Sequence, residues 1–289
     1  MHYDGMIIRP PSEANSILLQ VTTGCSHNKC TFCAAYKDKR FSIKPDAIID
    51  QDIEFASQYC RRQDRLFLCD GDALIIPQKR LLKILAQVRE KLPWITRVGT
   101  YANAKSLSMK TDEELRELRA HGLAIAYMGL ESGDDQTLAA VRKKGTAAEI
   151  VEQGKRCRQA GIILSVTVLL GLAGRERSRE HAVATGRALT AMDPEYVGAL
   201  ALMVVPGTPL SDQMERGEFT MITPVEMLAE LYAMIENTNL TDGFFAANHA
   251  SNYLPVRARL PQDKEKTLRL IAQALDGKVA LKPEWMRAL

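Results

Sequence analysis

The sequence predicts an α/β fold, a partial (β/α)6 TIM-like barrel with a C-terminal helical or irregular extension. Six short runs of apolar and β-branched residues recur along the chain, and a segment with helical periodicity follows each run. Most runs are continuously apolar, which is typical of strands covered on both faces in a parallel sheet. A closed barrel needs eight such units. Because no seventh run of comparable quality is found, the partial barrel is favoured.

The predicted strands and helices alternate in a regular order. In the second helix, Leu81, Leu85 and Val88 recur at spacings of three and four residues and form one apolar face. The fourth helix ends at Gly161, which suits a left-handed C-cap. The strands are predicted at 16–22, 65–70, 97–101, 124–130, 162–169 and 196–204. The other helix faces contain Ile49, Ile53, Ala56 and Cys60 in the first helix, Leu115 and Leu118 in the third, and Ile150, Gly154 and Cys157 in the fourth.

The pattern changes after residue 204. A helix is predicted over 224–237, an irregular and polar segment over 244–261, and a last helix over 262–275 that stops at Gly277. The expected organisation is an N-terminal lead-in (1–15), a core barrel (16–210) and a C-terminal extension (211–289) that packs on the barrel.

Composition and charge argue against several classes of protein. The chain is 46% hydrophobic and 25% charged, as in ordinary globular proteins. No apolar run approaches the roughly 18 residues that a membrane span needs. The N-terminal residues lack a signal-peptide pattern, so a cytoplasmic location is predicted. The net charge of +3 gives no electrostatic reason to expect nucleic acid or a membrane surface as a partner.

Polar and glycine-rich segments follow all six predicted strands. In parallel α/β folds, the carboxyl ends of the strands form the functional site. These segments should therefore lie along one rim and contain the chemistry of the protein. They cover residues 22–36, 69–73, 100–104, 129–135, 169–174 and 204–208.

Half of the six cysteines lie in TTGCSHNKCTFCAAY (residues 22–36), named here the cysteine loop. Cys25, Cys30 and Cys33 follow the first predicted strand with C-x4-C-x2-C spacing. Disulfide frameworks belong mainly to small secreted chains, so a disulfide loop is disfavoured. Three thiolates on a short loop can instead converge on a metal ion or an iron–sulfur cluster.

The spacing alone leaves three kinds of metal site open. Structural zinc needs a fourth ligand, either His27 or a distant cysteine. A plant-type [2Fe–2S] centre uses this spacing plus a later cysteine, for which Cys60 is the candidate. Cys60 and Cys157 lie on apolar helix faces and are interpreted as small buried residues, and Cys69 as a packing residue at a strand end. Three ligands without a fourth favour a [4Fe–4S] cluster with one open iron, and His27 is interpreted as a loop residue.

At these residues the sequence resembles the radical SAM superfamily, over roughly residues 16–210. The family motif is C-x3-C-x2-C after the first strand of a partial (β/α)6 barrel, often with an aromatic residue before the last cysteine, as Phe32 is here. The first gap is one residue longer in this chain. GLESGDDQTL (129–138) resembles the HemN-like and MiaB-like branch. The resemblance implies that Cys25, Cys30 and Cys33 hold a [4Fe–4S] cluster whose open iron binds S-adenosylmethionine (SAM).

The resemblance also implies a set of SAM contacts. Asp70, Gly71 and Asp72 occupy the position of the glycine-rich family motif that accepts hydrogen bonds from the SAM amino group, where Gly-Gly-Glu is usual. A carboxylate can accept hydrogen bonds from ribose hydroxyls or an ammonium group, and a guanidinium can donate two parallel hydrogen bonds to a carboxylate. The further expected contacts are Glu131 and Ser132 after the fourth strand, Arg142 at the SAM carboxylate, and Gly171 and Gly174 beside the adenine.

The implied activity is reductive cleavage of SAM to methionine and a 5′-deoxyadenosyl radical, which abstracts hydrogen from an unidentified small-molecule substrate. An enzyme of this oxidoreductase or transferase type takes its electron from a donor such as flavodoxin or ferredoxin. The alternative is a non-catalytic iron–sulfur electron carrier or metal-binding regulator, which is disfavoured because a carrier needs no SAM pocket. The candidate substrate-facing residues are Tyr101 and Asn103 at the third strand end and, in the extension, Asn248, His249, Asn252 and Tyr253.

Overall fold

The structure, a computed structural model, describes residues 1–288 and separates into two compact units. Cys25 belongs to the first unit, and Cys30 and Cys33 belong to the second. The division into lead-in, core barrel and extension expected from the sequence stays a prediction. The first unit comprises Met1–Asn28, Ala35–Met128 and Arg156–Leu164, and the second comprises Lys29–Ala34, Gly129–Lys155 and Ser165–Leu289.

All six predicted strands are present, as β1 and β4 to β8 in the numbering below. Four further strands lie between them or after them within the described residues. In chain order, β1 to β10 are Ile17–Gln20, Thr22–Thr23, Ser42–Ile43, Arg65–Cys69, Arg97–Ala102, Leu123–Glu131, Ile163–Leu170, Tyr196–Ala201, Gly243–Ala247 and Val256–Leu260.

Residues 1–288 also contain ten α-helices, and capping residues fix where several of them begin. At the start of α4 the Thr111 hydroxyl accepts a hydrogen bond from the Glu114 amide, and the Glu114 carboxylate accepts one from the Thr111 amide. None of these helices is long and apolar enough to cross a membrane. In chain order, α1 to α10 are Asp46–Tyr59, Gln78–Lys91, Ala104–Ser108, Asp112–Ala120, Asp135–Ala140, Ala147–Gln159, Ser178–Met192, Pro209–Glu215, Pro224–Glu236 and Lys264–Leu275.

In the first unit, β1, β4, β5 and β6 are parallel neighbours in that order. The short strands β2 and β3 pair antiparallel, and β2 begins the cysteine loop while β3 follows it in the sequence. A hydrophobic cluster that includes Phe67, Cys69, Ile125 and Tyr127 supports these strands. The segments that follow β4 and β5 therefore leave the same edge of the sheet, because parallel strands share their direction.

In the second unit, β7, β8 and β9 are parallel neighbours, and β10 pairs antiparallel with β9. The expectation of an irregular segment over 244–261 is confirmed for residues 248–255 and was wrong at both ends, where β9 and β10 form. Every second residue of β10 is buried, while Arg257 and Arg259 are exposed. The α/β class and the strands of the predicted partial (β/α)6 barrel are confirmed.

Candidate cofactor site

Asp70, Gly71 and Asp72, named here the DGD segment, directly follow β4 and hold the start of the cysteine loop. One carboxylate oxygen of Asp70, Oδ2, accepts a hydrogen bond from the Gly24 amide at 3.1 Å. The Gly71 amide donates to the Gly24 carbonyl at 3.1 Å. The Ser26 hydroxyl donates to the Asp72 carboxylate. The two residues on either side of the first cysteine are therefore fixed by the DGD segment.

Gly71 lies so close to the first cysteine that a larger residue does not fit. A Cβ atom on Gly71 would lie 3.2 Å from the Cβ of Cys25 and 2.9 Å from the Tyr36 ring. Real Cβ atoms keep larger distances, so the glycine is required by close approach. Burial raises the pKa of the Tyr36 hydroxyl, which is buried without a hydrogen-bond partner among residues 1–288.

Asp70 is fully buried, and its carboxylate interacts with three protein groups. Besides the Gly24 amide, its Oδ2 atom accepts from Gln20 Nε2 at 2.9 Å and pairs with Lys39 Nζ at 3.3 Å. Within residues 1–288, Oδ1 of Asp70 and Oδ1 of Asp72 are buried without a hydrogen-bond partner. Buried polar atoms are normally paired, so these two oxygens are acceptors suited to a donor that a ligand supplies.

In the second unit, Glu131 ends β6 with a left-handed backbone (φ 63°) and is mostly buried. Its Oε1 atom pairs with Lys143 Nζ at 2.9 Å. A Cβ atom on Gly129 would collide with the Glu131 carboxylate. Arg142, the cation expected from the sequence, is exposed. Sequence reasoning missed Lys143, although it stands next to Arg142 in the same basic run.

Ser132 and Asp134 are engaged by protein groups. The buried Ser132 hydroxyl lies 2.7 Å from His181 Nδ1 and accepts from the Asp134 amide at 3.0 Å. The Asp134 carboxylate caps α5 and pairs with Arg177. Partial burial by itself raises the pKa of Asp134, but hydrogen bonds from Arg177 and Thr137 outweigh it and lower this pKa to about 2.

Gly171 and Gly174 form the turn after β7. Both have left-handed backbones, with φ of 81° and 64°, and the Gly174 amide donates to the Gly171 carbonyl. A Cβ atom on Gly171 would lie 3.1 Å from Cε of Met227, and one on Gly174 would lie 3.2 Å from the Phe219 ring. Both glycines are therefore favoured by the left-handed backbone of the turn, and the C-terminal residues pack closely against them.

None of the six cysteines, which all lie within the described residues, forms a disulfide. Cys25, Cys30 and Cys33 are partly exposed, as is His27 in the same loop. In the second unit, the loop is anchored where the Thr31 amide donates to the Val141 carbonyl at 2.9 Å. Among residues 1–288, no three His, Cys, Asp or Glu side chains are grouped so that they could hold a metal ion.

The remaining cysteines follow the sequence prediction in two of three cases. Cys69 and Cys157 are fully buried, as predicted. Cys60 caps the end of α1 and is only partly buried, so its interpretation as a buried residue was wrong. The helix ends one residue earlier than the apolar repeat suggests, which leaves Cys60 outside the packed face.

The predicted substrate-facing residues have mainly structural contacts. The Asn103 side chain caps α3 by accepting from the Ser106 amide, and the Tyr101 ring packs edge-on against Phe67 at 5.1 Å. In the extension, Asn252 is buried and donates to the Ala199 carbonyl at 2.9 Å. The other members of that polar group are Asn248, which is exposed, His249, which contacts Ser251, and Tyr253, which donates to Glu284.

Comparison with known proteins finds one family. The family described as the radical SAM superfamily matches residues 19–185. Biotin synthase from Nostoc sp. is 26% identical over 203 residues, which cover 68% of this chain and 57% of that protein. The chain thus spans about half the length of the curated relatives matched first.

Two solved structures illustrate the likeness in fold. The radical SAM methyltransferase TsrM from Kitasatospora setae, with cobalamin and a [4Fe–4S] cluster bound, has a TM-score of 0.58 at 20% identity and covers 70% of this chain and 39% of its own. Coproporphyrinogen III oxidase (HemN) from Escherichia coli has a TM-score of 0.55 at 13% identity and covers 76% and 52%. At such identities the likeness shows the fold alone.

Proposed function

Because the chain belongs to the radical SAM superfamily, whose members use a [4Fe–4S] cluster and SAM, we propose that it is an enzyme that cleaves SAM reductively. The observation that carries the proposal is the bracing of the cysteine loop on both sides of Cys25 by the DGD segment. Three thiols outside any disulfide are the donor set that such a cluster requires of this loop. Cys25, Cys30 and Cys33 are the proposed ligands.

When bound, the cluster supplies the electron that breaks the S–C5′ bond of SAM and so yields a radical able to take hydrogen from a substrate. The protein residues bind and orient SAM. In the first unit, Oδ1 of Asp72 is buried without a partner among residues 1–288 and accepts from the SAM ammonium group. Asp70 positions the loop, because its Oδ2 atom is occupied by three protein donors.

In the second unit, the proposed SAM contacts surround Glu131. Lys143 holds Oε1 of Glu131, and the remaining oxygen accepts from the ribose hydroxyls. Arg142 is proposed to bind the SAM carboxylate from its exposed position. The turn at Gly171 and Gly174 approaches the adenine, and Ser132 fixes the backbone next to Glu131 through its bond to the Asp134 amide.

The substrate and partner are stated only by class. A small molecule is proposed as substrate, in a reaction of the oxidoreductase or transferase type, and the likeness to biotin synthase is compatible with this class. Flavodoxin or ferredoxin is the proposed electron donor. The cytoplasm is the proposed location, because a low-potential cluster needs a reducing compartment.

The first test is product formation. After anaerobic reconstitution with iron and sulfide, the protein mixed with SAM and dithionite should release 5′-deoxyadenosine, measured by chromatography. SAM should also change the electron paramagnetic resonance spectrum of the reduced cluster. A fully loaded protein that gives neither product nor spectral change would instead be the non-catalytic electron carrier or regulator.

A second test concerns Lys143. In Lys143→Met the Glu131 carboxylate loses its cation, and the KM for SAM should rise about tenfold, since a charge-assisted hydrogen bond contributes roughly 1.5–3 kcal/mol. Lys144→Met is the matched control, because Lys144 is exposed and adjacent. Iron content should stay unchanged in both variants. Equal KM values for the two variants would contradict the role of Lys143.

A further inference from the structure

Two buried ionisable residues of the second unit have no place in the proposed chemistry. His181 on α7 and Glu230 on α9 are 0% and 2% exposed. Ionisable side chains are seldom fully buried unless they are paired. Here His181 Nε2 lies 3.4 Å from Oε1 of Glu230, and each residue also has hydrogen bonds to a strand end. The pair therefore joins α7 and α9 to the edge where SAM is proposed to bind.

Glu230 holds the turn after β7. Its Oε1 atom accepts from the Gly171 amide at 2.6 Å, and its Oε2 atom accepts from the Ser178 hydroxyl at 2.5 Å. This amide is buried, and a buried amide needs an acceptor, which here is the carboxylate. A side chain of the C-terminal extension thus fixes the backbone that is proposed to approach the adenine.

His181 holds the segment after β6. Its Nε2 atom lies 3.1 Å from the Leu169 carbonyl, which can only accept, so Nε2 donates a hydrogen bond to it. Its Nδ1 atom forms a hydrogen bond with Ser132 Oγ at 2.7 Å. Ser132 Oγ in turn accepts from the Asp134 amide. These contacts form one network: hydrogen bonds extend from the Asp134 amide to the Leu169 carbonyl, and Oε1 of Glu230, which lies 3.4 Å from His181 Nε2, accepts from the Gly171 amide.

Close backbone packing restricts the movement of the elements that this network joins. A Cβ atom on Gly133 would collide with the Ala184 carbonyl of α7, and one on Gly186 would lie 2.6 Å from the Met234 carbonyl of α9. The Gly133 amide also donates to the Thr185 hydroxyl at 2.8 Å. Helix α7 is thus held between the segment after β6 and α9, and His181 lies on the same helix.

We infer that Glu230 and His181 are positioning residues for SAM, which hold the segments 131–134 and 169–174 in a preformed arrangement. The inference rests on the proposed function. A preformed site binds more tightly because its loops lose less conformational freedom when the ligand enters. Loss of this network should therefore weaken SAM binding without removing the cluster, since the proposed cysteine ligands do not belong to the network.

The test compares variants of Glu230 in the reconstituted holoenzyme. Glu230→Leu leaves the Gly171 amide and the Ser178 hydroxyl without an acceptor, and the Kd for SAM should rise about tenfold in equilibrium dialysis. Glu230→Gln keeps an amide oxygen for Gly171 and should restore most of the affinity. Iron content should equal that of the wild type. The kcat at saturating SAM should change about threefold at most, because the network affects SAM binding.

Glu236→Leu, an exposed position on the same helix, is the matched control and should bind SAM as the wild type does. A wild-type Kd in Glu230→Leu would overturn the inference while leaving the proposed function intact. If the wild type itself binds no SAM, the proposed function fails instead. If Glu230→Leu does not load its cluster, Ser178→Ala decides, because loss of this donor to Glu230 should weaken SAM binding about threefold. An unchanged Kd in Ser178→Ala would then reject the inference.

Discussion

Cys30→Ala is expected to abolish cluster loading and the formation of 5′-deoxyadenosine. Cys30 is the middle cysteine of the C-x4-C-x2-C motif. The proposed cluster needs three cysteine thiolates, and the variant keeps only two. The reconstituted wild type should contain about four irons per chain, the content of a [4Fe–4S] cluster, and the variant close to none. Iron and sulfide analysis measures the loss, and circular dichroism checks that the fold remains. Cys25→Ala and Cys33→Ala should behave in the same way.

Cys60→Ala is the control for this experiment. Cys60 lies at the end of α1, and burial raises the pKa of its thiol, so it is a weaker source of thiolate. Its removal should leave iron content and product formation at the wild-type level. Equal losses in Cys60→Ala and Cys30→Ala would contradict the proposed ligand set and would favour a [2Fe–2S] centre with Cys60 as its fourth ligand.

The strands of the barrel were predictable because their sequence pattern is strong. The run that forms β7 contains four β-branched residues and three leucines in eight positions, and such runs are typical of strands buried on both faces. The strands β9 and β10 were missed for a related reason. Alanine and glycine have low strand propensity, which weakens the signal of β9, and in β10 only three apolar residues alternate with Arg257 and Arg259.

The segments of the candidate site were predictable, but their internal pairings were not. Sequence order places Asp70, Glu131 and Gly171 at strand ends, and the structure has them there. The partners of these residues lie far away in the chain. Asp70 pairs with Lys39, and Glu230 holds the Gly171 amide across 59 positions. Such contacts depend on tertiary packing, which a periodic pattern does not encode.

Asp70→Ala is expected to lower stability strongly and to prevent cluster loading. The carboxylate is fully buried, and its loss removes the acceptor of the Gly24 amide, one of two acceptors of Gln20 Nε2, and the counter-charge of the nearly buried Lys39 ammonium. Removing one partner of a buried ion pair costs about 3–5 kcal/mol. Urea unfolding of the cluster-free protein should show this loss. Asp38→Ala, an exposed change next to Lys39, is the control and should match the wild type.

Asp70→Asn separates the charge of Asp70 from its hydrogen bonds. Asparagine keeps an oxygen that can accept from the Gly24 amide, so Cys25 should stay in place and the cluster should load. The Lys39 ammonium, whose side chain is 7% exposed, loses its counter-charge, and the free energy of unfolding should fall by less than in Asp70→Ala. Adding Lys39→Met removes the unpaired charge and should recover part of that loss. An Asp70→Ala variant that loads its cluster fully would contradict the bracing of the cysteine loop by Asp70, because Gly24 would then have lost its acceptor without effect on Cys25.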